Sequence, residues 1–310
     1  MALDAPKSRV LVTGGSGQVG GELIHELAEL GEVYAPGRSE LDLADADSIR
    51  KVMREFKPQW VVNAGAHTAV DKAESEPELA FAINATAPEV LAAEAKETGA
   101  VILHFSTDYV FDGSKPTPYI ETDATGPLSV YGTSKLAGEQ ALAASGVPYL
   151  VFRTSWVYGA TGKNFLLSIL RFAREREHLR IVGDQHGAPT WSLDLARMSA
   201  HIIAGRQQFA ATNQCSFAEA VAPVSGIYHA GGSGETTWFG FAEKGIAELR
   251  ALEPDAKLAT VEAIPTSEYP TAAKRPVNSR LDGTKLKQAF DWRMMDWQES
   301  VSRVVASLKR

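Results

Sequence analysis

Short apolar runs of strand length alternate along this chain with stretches in which apolar positions recur every three or four residues. The runs at 9–13, 32–35, 60–63, 101–106, 149–154 and 226–230 predict strands. Helical spacing covers 17–30, 48–56, 77–98, the segment that carries Tyr131, and 165–177. Short buried strands that alternate with helices require right-handed crossovers and a parallel sheet covered on both faces. The expected fold class is therefore α/β, a doubly wound parallel sheet of Rossmann type with a smaller C-terminal cap. Residues 1–160 would form the sheet domain, the late strand near 226–230 would return to it, and 161–310 would be mainly cap, with a discontinuous boundary.

From about Trp156 the pattern loosens. The segment 183–189 is rich in small and polar residues, 207–225 reads as an irregular surface insertion, and the loop 264–280 is rich in Pro, Thr and Ser. Ligands of open α/β sheets bind outside the carboxyl ends of the strands, so a cap placed there completes the crevice. Cys215, inside the 207–225 stretch, reads as inert.

A glycine-rich turn follows the first apolar run. Its spacing is G-x-x-G-x-x-G, with Gly14, Gly17 and Gly20 as the repeated positions. Gly14 permits a tight strand-to-helix turn, Gly17 lets backbone approach a pyrophosphate, and Gly20 lets the helix pack closely. With Gln18 and Val19 at the free N–H groups of the helix start, the turn predicts a dinucleotide site in the first domain. Cofactor choice turns on the residue after the second strand, where an acid would bind a ribose 2′-hydroxyl. Arg38 stands near that position and favours NADPH, with NADH use left open. Asp42 and Leu43 fall near the adenine, and Ala64, Gly65 and Ala66 pass small residues beneath the cofactor.

Tyr131 and Lys135 lie four residues apart, on one face of a helix. An ammonium beside a phenol favours the phenolate and lowers the tyrosine pKa, which suits a group that protonates a developing alkoxide. Thr107 closes the run 101–106 and precedes Asp108. The order of glycine turn, Thr107 and then Tyr131 with Lys135 reads as a nicotinamide-dependent oxidoreductase.

Composition narrows the classes. In 310 residues, 45% are hydrophobic and 22% charged, as in ordinary globular chains, and the net charge of −7 offers no global basic field for nucleic acid or an anionic membrane. A single cysteine, no signal-like start and no apolar run near membrane-spanning length lead to an expected cytoplasmic location. His67 and His186 lack a ligand cluster, so no catalytic metal is expected.

Longer blocks carry a resemblance. They are GQVG at 17–20, NAGAHTAVDKAESEP at 63–77, STDYVFDG at 106–113, VYG at 130–132 with KLAGE at 135–139, RTSWVY at 153–158, DQHGAPT at 184–190, and PTSEYPT at 265–271 with RPVNSR at 275–280. From about Arg9 to the C-terminus the chain resembles the dTDP-4-dehydrorhamnose reductase family of extended short-chain dehydrogenases/reductases. The resemblance implies hydride transfer from a nicotinamide to C4 of a nucleotide-linked keto sugar. Tyr131 would then be the proton donor, Lys135 would hold ribose hydroxyls, Thr107 would bind the sugar oxygen and Asp108 its hydroxyls.

The same resemblance sets Trp156 against the sugar, and Asn164 and Gln185 among the groups that position substrate. Arg275 and Arg280, with Asn278 between them, are candidates for the substrate phosphates. Gly65 departs from the alanine common in the family, and Gln298 stands where some members carry the acid of an interface magnesium, which removes the residue basis for Mg2+ there. A homodimer and functional coupling to an upstream 3,5-epimerase stay open. Two other readings also remain: another nucleotide-sugar reductase or epimerase on this scaffold, and a non-catalytic subunit resembling the regulatory subunit of methionine adenosyltransferase. Dehydratases of this type carry a glutamate after the acid, where this chain has Tyr109.

Overall fold

The computed structural model describes residues 8–308. Five strands, β1 (Ser8–Thr13), β2 (Gly31–Tyr34), β3 (Trp60–Asn63), β4 (Val101–Thr107) and β5 (Tyr149–Thr154), form one sheet with the late strand Gly226–His229. Every pairing is parallel, and the order runs β2, β1, β3, β4, β5 and then Gly226–His229.

The pleat explains why these strands read as continuous apolar runs. Val10, Val12, Val62 and Leu103 face one layer, made by the helices Gln18–Leu27 and Ser192–Asn213 with Leu286 and Phe290. Leu11, Val61, Ile102 and Val151 face the other, made by the helices Ala46–Phe56 and Ala87–Thr98 with Leu142. Alternate side chains thus meet two cores, and a strand buried on both faces carries no polar alternation.

The chain leaves β1 outward to β2 and then returns to the other side of β1 as β3. That reversal is the switch point of the sheet, and it opens a crevice beyond Thr13 and Asn63.

Two expected elements differ from what forms. The helix expected over 77–98 is Pro77–Phe81 and Ala87–Thr98 joined by a π-helical turn, Ala82–Thr86. There the Asn84 amide donates to the His67 carbonyl at 3.1 Å and to Ser134 Oγ at 3.0 Å, and its oxygen accepts from His67 N at 2.8 Å. The turn points a polar side chain inward to tie three segments together.

The stretch 207–225 is not an irregular surface insertion. It completes the helix Ser192–Asn213 and adds a second helix, Phe217–Val221, opened by a capping box between Ser216 and Glu219. Ala220 and Val221 are fully buried, Phe217 packs on Trp60 with ring centroids 5.7 Å apart, and Gln207 Nε2 donates to Ser8 Oγ at 2.7 Å. Cys215 is half-buried beside a shallow hollow lined by Gln207, Ala210 and Phe217.

Beyond the carboxyl ends of the strands lies a second layer. The parallel pair His178–Val182 and Thr260–Ile264 packs with the helices Phe165–Glu175 and Trp238–Leu252 around Ile169, Leu179 and Ile246. Phe241, Leu249, Val301 and Val304 join the helix Trp297–Ser307 to it.

Candidate active site

A cavity of about 530 Å³ opens at the switch point, lined by the glycine turn, residues 64–66, the end of β4, Tyr131, Lys135, Trp156 and Trp238. Gly14 adopts φ +68°, and a Cβ there would stand 2.6 Å from Gly65 Cα. A Cβ on Gly20 would meet Gly14 O at 2.1 Å, so the helix packs directly on the turn. Gly17 needs no unusual backbone, with φ −83°, and it lines the cavity. Gly65 fits here because a Cβ would run into Leu43 Cδ1 at 2.5 Å. These small residues form a cradle that side chains would fill, which fits a dinucleotide's pyrophosphate against the start of the Gln18–Leu27 helix.

Arg38 is 76% exposed in the loop after β2 and stands 4.0 Å from Asp42. The Asp42 carboxylate accepts from Ala44 N at 3.0 Å. Neither residue lines the cavity, while Leu43 borders its floor through Gly65.

The helix Val130–Ala144 starts where Ser129 Oγ accepts from Gly132 N at 3.2 Å, and it carries Tyr131 and Lys135 to the end of β4. Tyr131 stands beside Thr107 on the cavity wall, and its phenol is pushed above the ordinary tyrosine range by burial, with the Thr107 hydroxyl opposing and Asp108 reinforcing the shift. The expected tuning by Lys135 is therefore corrected: desolvation dominates and holds the phenol protonated. Lys135 is 2% exposed, donates to Phe105 O at 2.7 Å and meets His104 Nε2 at 3.1 Å. Burial brings its ammonium down to about 8, opposed by Glu139.

Thr107 Oγ1 donates to Asp108 Oδ1 at 3.1 Å and accepts from Tyr109 N at 3.2 Å. Asp108 is 3% exposed, and its Oδ2 has no protein partner among the described residues. Burial raises its pKa from the ordinary 3.8 to about 6, against hydrogen bonds from Ser279 and Thr107. A carboxyl whose folded pKa is raised costs nothing below its unfolded pKa and destabilises as pH climbs through the folded one. Asp108→Asn is thus expected to gain up to about 3 kcal/mol at pH 7, with the gain absent below about pH 4. Urea unfolding of both proteins at the two pH values checks this.

Trp156 holds φ +48°, a conformation costly for a bulky residue. It stacks on Trp238 with centroids 3.8 Å apart, and Gly187 gives it room, since a Cβ there would fall 2.6 Å from the indole. Trp238 was not anticipated, because nothing in linear spacing links it to Trp156. It opens its helix behind the Thr237 cap and also lines a second cavity of about 660 Å³, together with Gln185, Arg176, Arg180, Tyr269 and Arg275.

The remaining candidates divide. Gln185 is buried and donates to Thr266 Oγ1 at 3.1 Å on the wall of that second cavity. Arg275, also on that wall, pairs with Asp71 at 2.7 Å, and its charge opposes the rise that burial gives the Tyr109 phenol. Asn164 lines neither cavity: it caps the Phe165–Glu175 helix through Leu167 N and donates to Gln18 Oε1, both at 2.9 Å. Asn278 is spent on the Lys115 and Thr117 carbonyls, and Arg280 on Asn278 Oδ1 and Glu235, so both secure the loop that carries them. No group of acids, histidines or cysteines able to hold a metal occurs among the described residues, and no helix there is long and apolar enough to cross a membrane.

The profile of the RmlD substrate binding domain matches residues 8–310. The chain belongs to that family. It is 46% identical over 302 residues to a dTDP-4-dehydrorhamnose reductase of Burkholderia thailandensis, spanning 97% of this chain and 99% of the relative. Among solved structures, a dTDP-4-dehydrorhamnose reductase from Clostridium acetobutylicum superposes with a TM-score of 0.87 at 34% identity, covering 97% of this chain and all of the other. One from Bacillus anthracis, in complex with NADP, gives 0.85 at 33% identity, with 97% and 99% covered. Family membership and the crevice agree in architecture: the segments bearing the sequence resemblance at 63–77, 106–113 and 130–139 meet at one cavity.

Proposed function

We propose that this protein reduces the C4 keto group of dTDP-4-dehydro-L-rhamnose to dTDP-L-rhamnose with NADPH, NADH being the alternative donor, as a step toward cell-surface polysaccharide. One observation carries the reading. In a chain alike over its whole length to such reductases, a protonated Tyr131 and the Thr107 hydroxyl meet on the wall of the cavity that the glycine turn floors. When bound, the nicotinamide supplies the hydride.

The chain's own groups do the rest. Tyr131 gives its proton to the oxyanion at C4, and its burial ensures that the proton is present to give. Thr107 turns its one hydroxyl hydrogen from Asp108 Oδ1 to the sugar oxygen beside Tyr131, and the free Oδ2 of Asp108 accepts from sugar hydroxyls. Trp156, braced by Trp238, offers a flat apolar face to the sugar ring. Lys135 binds ribose hydroxyls. Gly14, Gly17, Gln18 and Val19 present backbone to the pyrophosphate, Ala64, Gly65 and Ala66 leave room above the strand ends, and Asp42 and Leu43 border the adenine side. We assign the sheet layer to the cofactor and the cap to the sugar nucleotide, whose diphosphate and base extend past Trp238 toward Gln185 and Arg275.

The test follows NADPH absorbance with dTDP-4-keto-6-deoxyhexose, with and without the 3,5-epimerase that would supply the substrate in the cytoplasm. Epimerase-dependent oxidation that yields dTDP-L-rhamnose supports the proposal, and folded protein that oxidises nothing overturns it. Arg38→Glu removes a phosphate partner and sets an acid beside Asp42, so the NADPH to NADH preference, measured as a ratio of kcat/KM, is expected to fall about tenfold or more. An unchanged ratio would place the 2′-phosphate elsewhere.

A further inference from the structure

Behind the catalytic helix runs a chain of buried polar groups, from the cofactor cradle to Lys135. Gly65 N donates to Thr13 Oγ1 at 3.0 Å, and Thr13 Oγ1 lies 2.6 Å from Asn63 Oδ1. Asn63 Nδ2 is 2.9 Å from His104 Nδ1, and His104 Nε2 is 3.1 Å from Lys135 Nζ. Thr13, Asn63 and His104 are each 1% exposed.

The direction of this chain follows from its first member. A backbone N–H can only donate, so Thr13 accepts from Gly65, and its single hydroxyl hydrogen has Asn63 as its one remaining partner among the described residues. The amide atom facing Thr13 is then the oxygen, and the amide nitrogen faces His104 Nδ1 as a donor. Nδ1 must be bare, which puts the hydrogen of a neutral imidazole on Nε2, pointed at Lys135. An ammonium has no lone pair to receive it, whereas a neutral amine does. The amine also keeps one hydrogen for Phe105 O at 2.7 Å and one for the cavity.

We propose that Thr13, Asn63 and His104 form a polarity lock that presents an Nε2–H to Lys135 and opposes its ammonium, so that the lysine proton and the His104 tautomer change together. Protonating Lys135 reverses the three side-chain bonds, from Lys135 back to Thr13, and leaves the Thr13 hydroxyl hydrogen without an acceptor. Other groups around the pair are few. Glu139 on the same helix favours the ammonium, but Arg153 of β5 takes its carboxylate, with Nη2 at 2.6 Å. Tyr131 is a neutral phenol, and Asp108 lies past the end of β4. From Ala87–Thr98 the buried Glu94 turns to Arg54, and β3 brings no titratable group. Burial acts in the same sense as the lock, keeping His104 well below the ordinary imidazole range.

His104 and Thr13 are thus positioning residues for the proposed reaction. Their part in turnover rests on the reductase reading, but the lock itself rests on geometry. Long-range 1H–15N correlation of the histidine ring nitrogens in full-length protein, assigned by loss of the signal in His104→Gln, is expected to show hydrogen on Nε2 and a bare Nδ1 at pH 9, and the reverse at pH 6, where Lys135 carries its proton. An Nδ1–H tautomer at pH 9, or an imidazolium, would overturn the lock. The Lys135 ε-carbon shift, assigned with Lys135→Met, should titrate near 8. Thr13→Val should move that midpoint up by about one pH unit, and Thr13→Ser should restore it. A folded Thr13→Val protein that titrates like the parent would equally overturn the proposal. If Thr13→Val does not fold, the tautomer of the parent protein decides alone. Neither readout needs turnover, so the expected tautomer in a protein that reduces no sugar would count against the reductase reading alone.

Discussion

Tyr131→Phe is expected to leave NADPH binding nearly unchanged while turnover falls by at least about 10²-fold. The substitution keeps the ring that packs edge-on against Tyr109, with centroids 5.5 Å apart, and removes only the hydroxyl beside Thr107. The glycine turn and residues 64–66 are untouched, so the cradle survives. What is lost is a proton positioned at the carbonyl oxygen, and water is a poor substitute in a half-buried site. Fluorescence titration of NADPH and steady-state rates on the same preparation separate the two effects. Parent-like turnover would remove Tyr131 from the mechanism, whereas a joint loss of binding would mean that the phenol also braces the cradle.

Glu139→Ala is expected to cost about 3–5 kcal/mol of stability, read from urea or guanidinium unfolding. Glu139 and Arg153 are each 2% exposed and share three hydrogen bonds, at 2.6, 2.9 and 3.2 Å. Arg153 already has one nitrogen, Nη1, without a partner among the described residues. Its guanidinium lies 4.9 Å from the Phe111 ring. His229 cannot supply the lost negative charge, since an imidazole is neutral or cationic, and burial with the Arg153 charge keeps this one neutral by holding it down to about 3. Without Glu139 a buried cation stands alone, and the helix that carries Tyr131 and Lys135 loses its anchor on β5. Glu139→Gln, which keeps a hydrogen-bond acceptor, should cost less. A loss below about 1 kcal/mol for Glu139→Ala would show that water reaches Arg153.

Where burial is two-sided the chain states its fold openly. The expected strands 60–63 and 149–154 form with those same limits, because Trp60, Val61 and Val62, like Leu150, Val151 and Phe152, have an apolar core on either side. The π-helical turn at 82–86 was hidden because its cause is tertiary: Asn84 reaches His67 and Ser134, and no local pattern announces those partners. The stretch 207–225 misled for the opposite reason. Its polar outer face dominates the composition, while the few residues that seat it on the sheet, Phe217, Ala220 and Val221, are spaced too closely to declare a periodicity.

The candidate site divides along similar lines. Tyr131, Thr107, Asp108, Trp156 and the glycine turn were visible as types and order, and the fold brings them to one cavity. Asn164, Asn278 and Arg280 were chosen for their chemistry, but local bonds to a helix start and to loop carbonyls claim that chemistry first. Trp238 and His104 escaped notice because their significance is a contact across the fold, with Trp156 in one case and Lys135 in the other.

The place of Gly226–His229 beside β5 bears on how the chain is made. A ribosome delivers β1 to β5 early, yet the outer edge of β5 keeps its row of unpaired N–H and C=O groups until residue 229 of 310 has emerged. For the time needed to translate the intervening 71 residues, from 155 to 225, the nascent sheet carries an open template for pairing with neighbouring chains. The helix Ser192–Asn213, which covers one face, arrives in the same interval. Slowing elongation across that window should therefore increase co-translational aggregation more than an equal delay placed after residue 290.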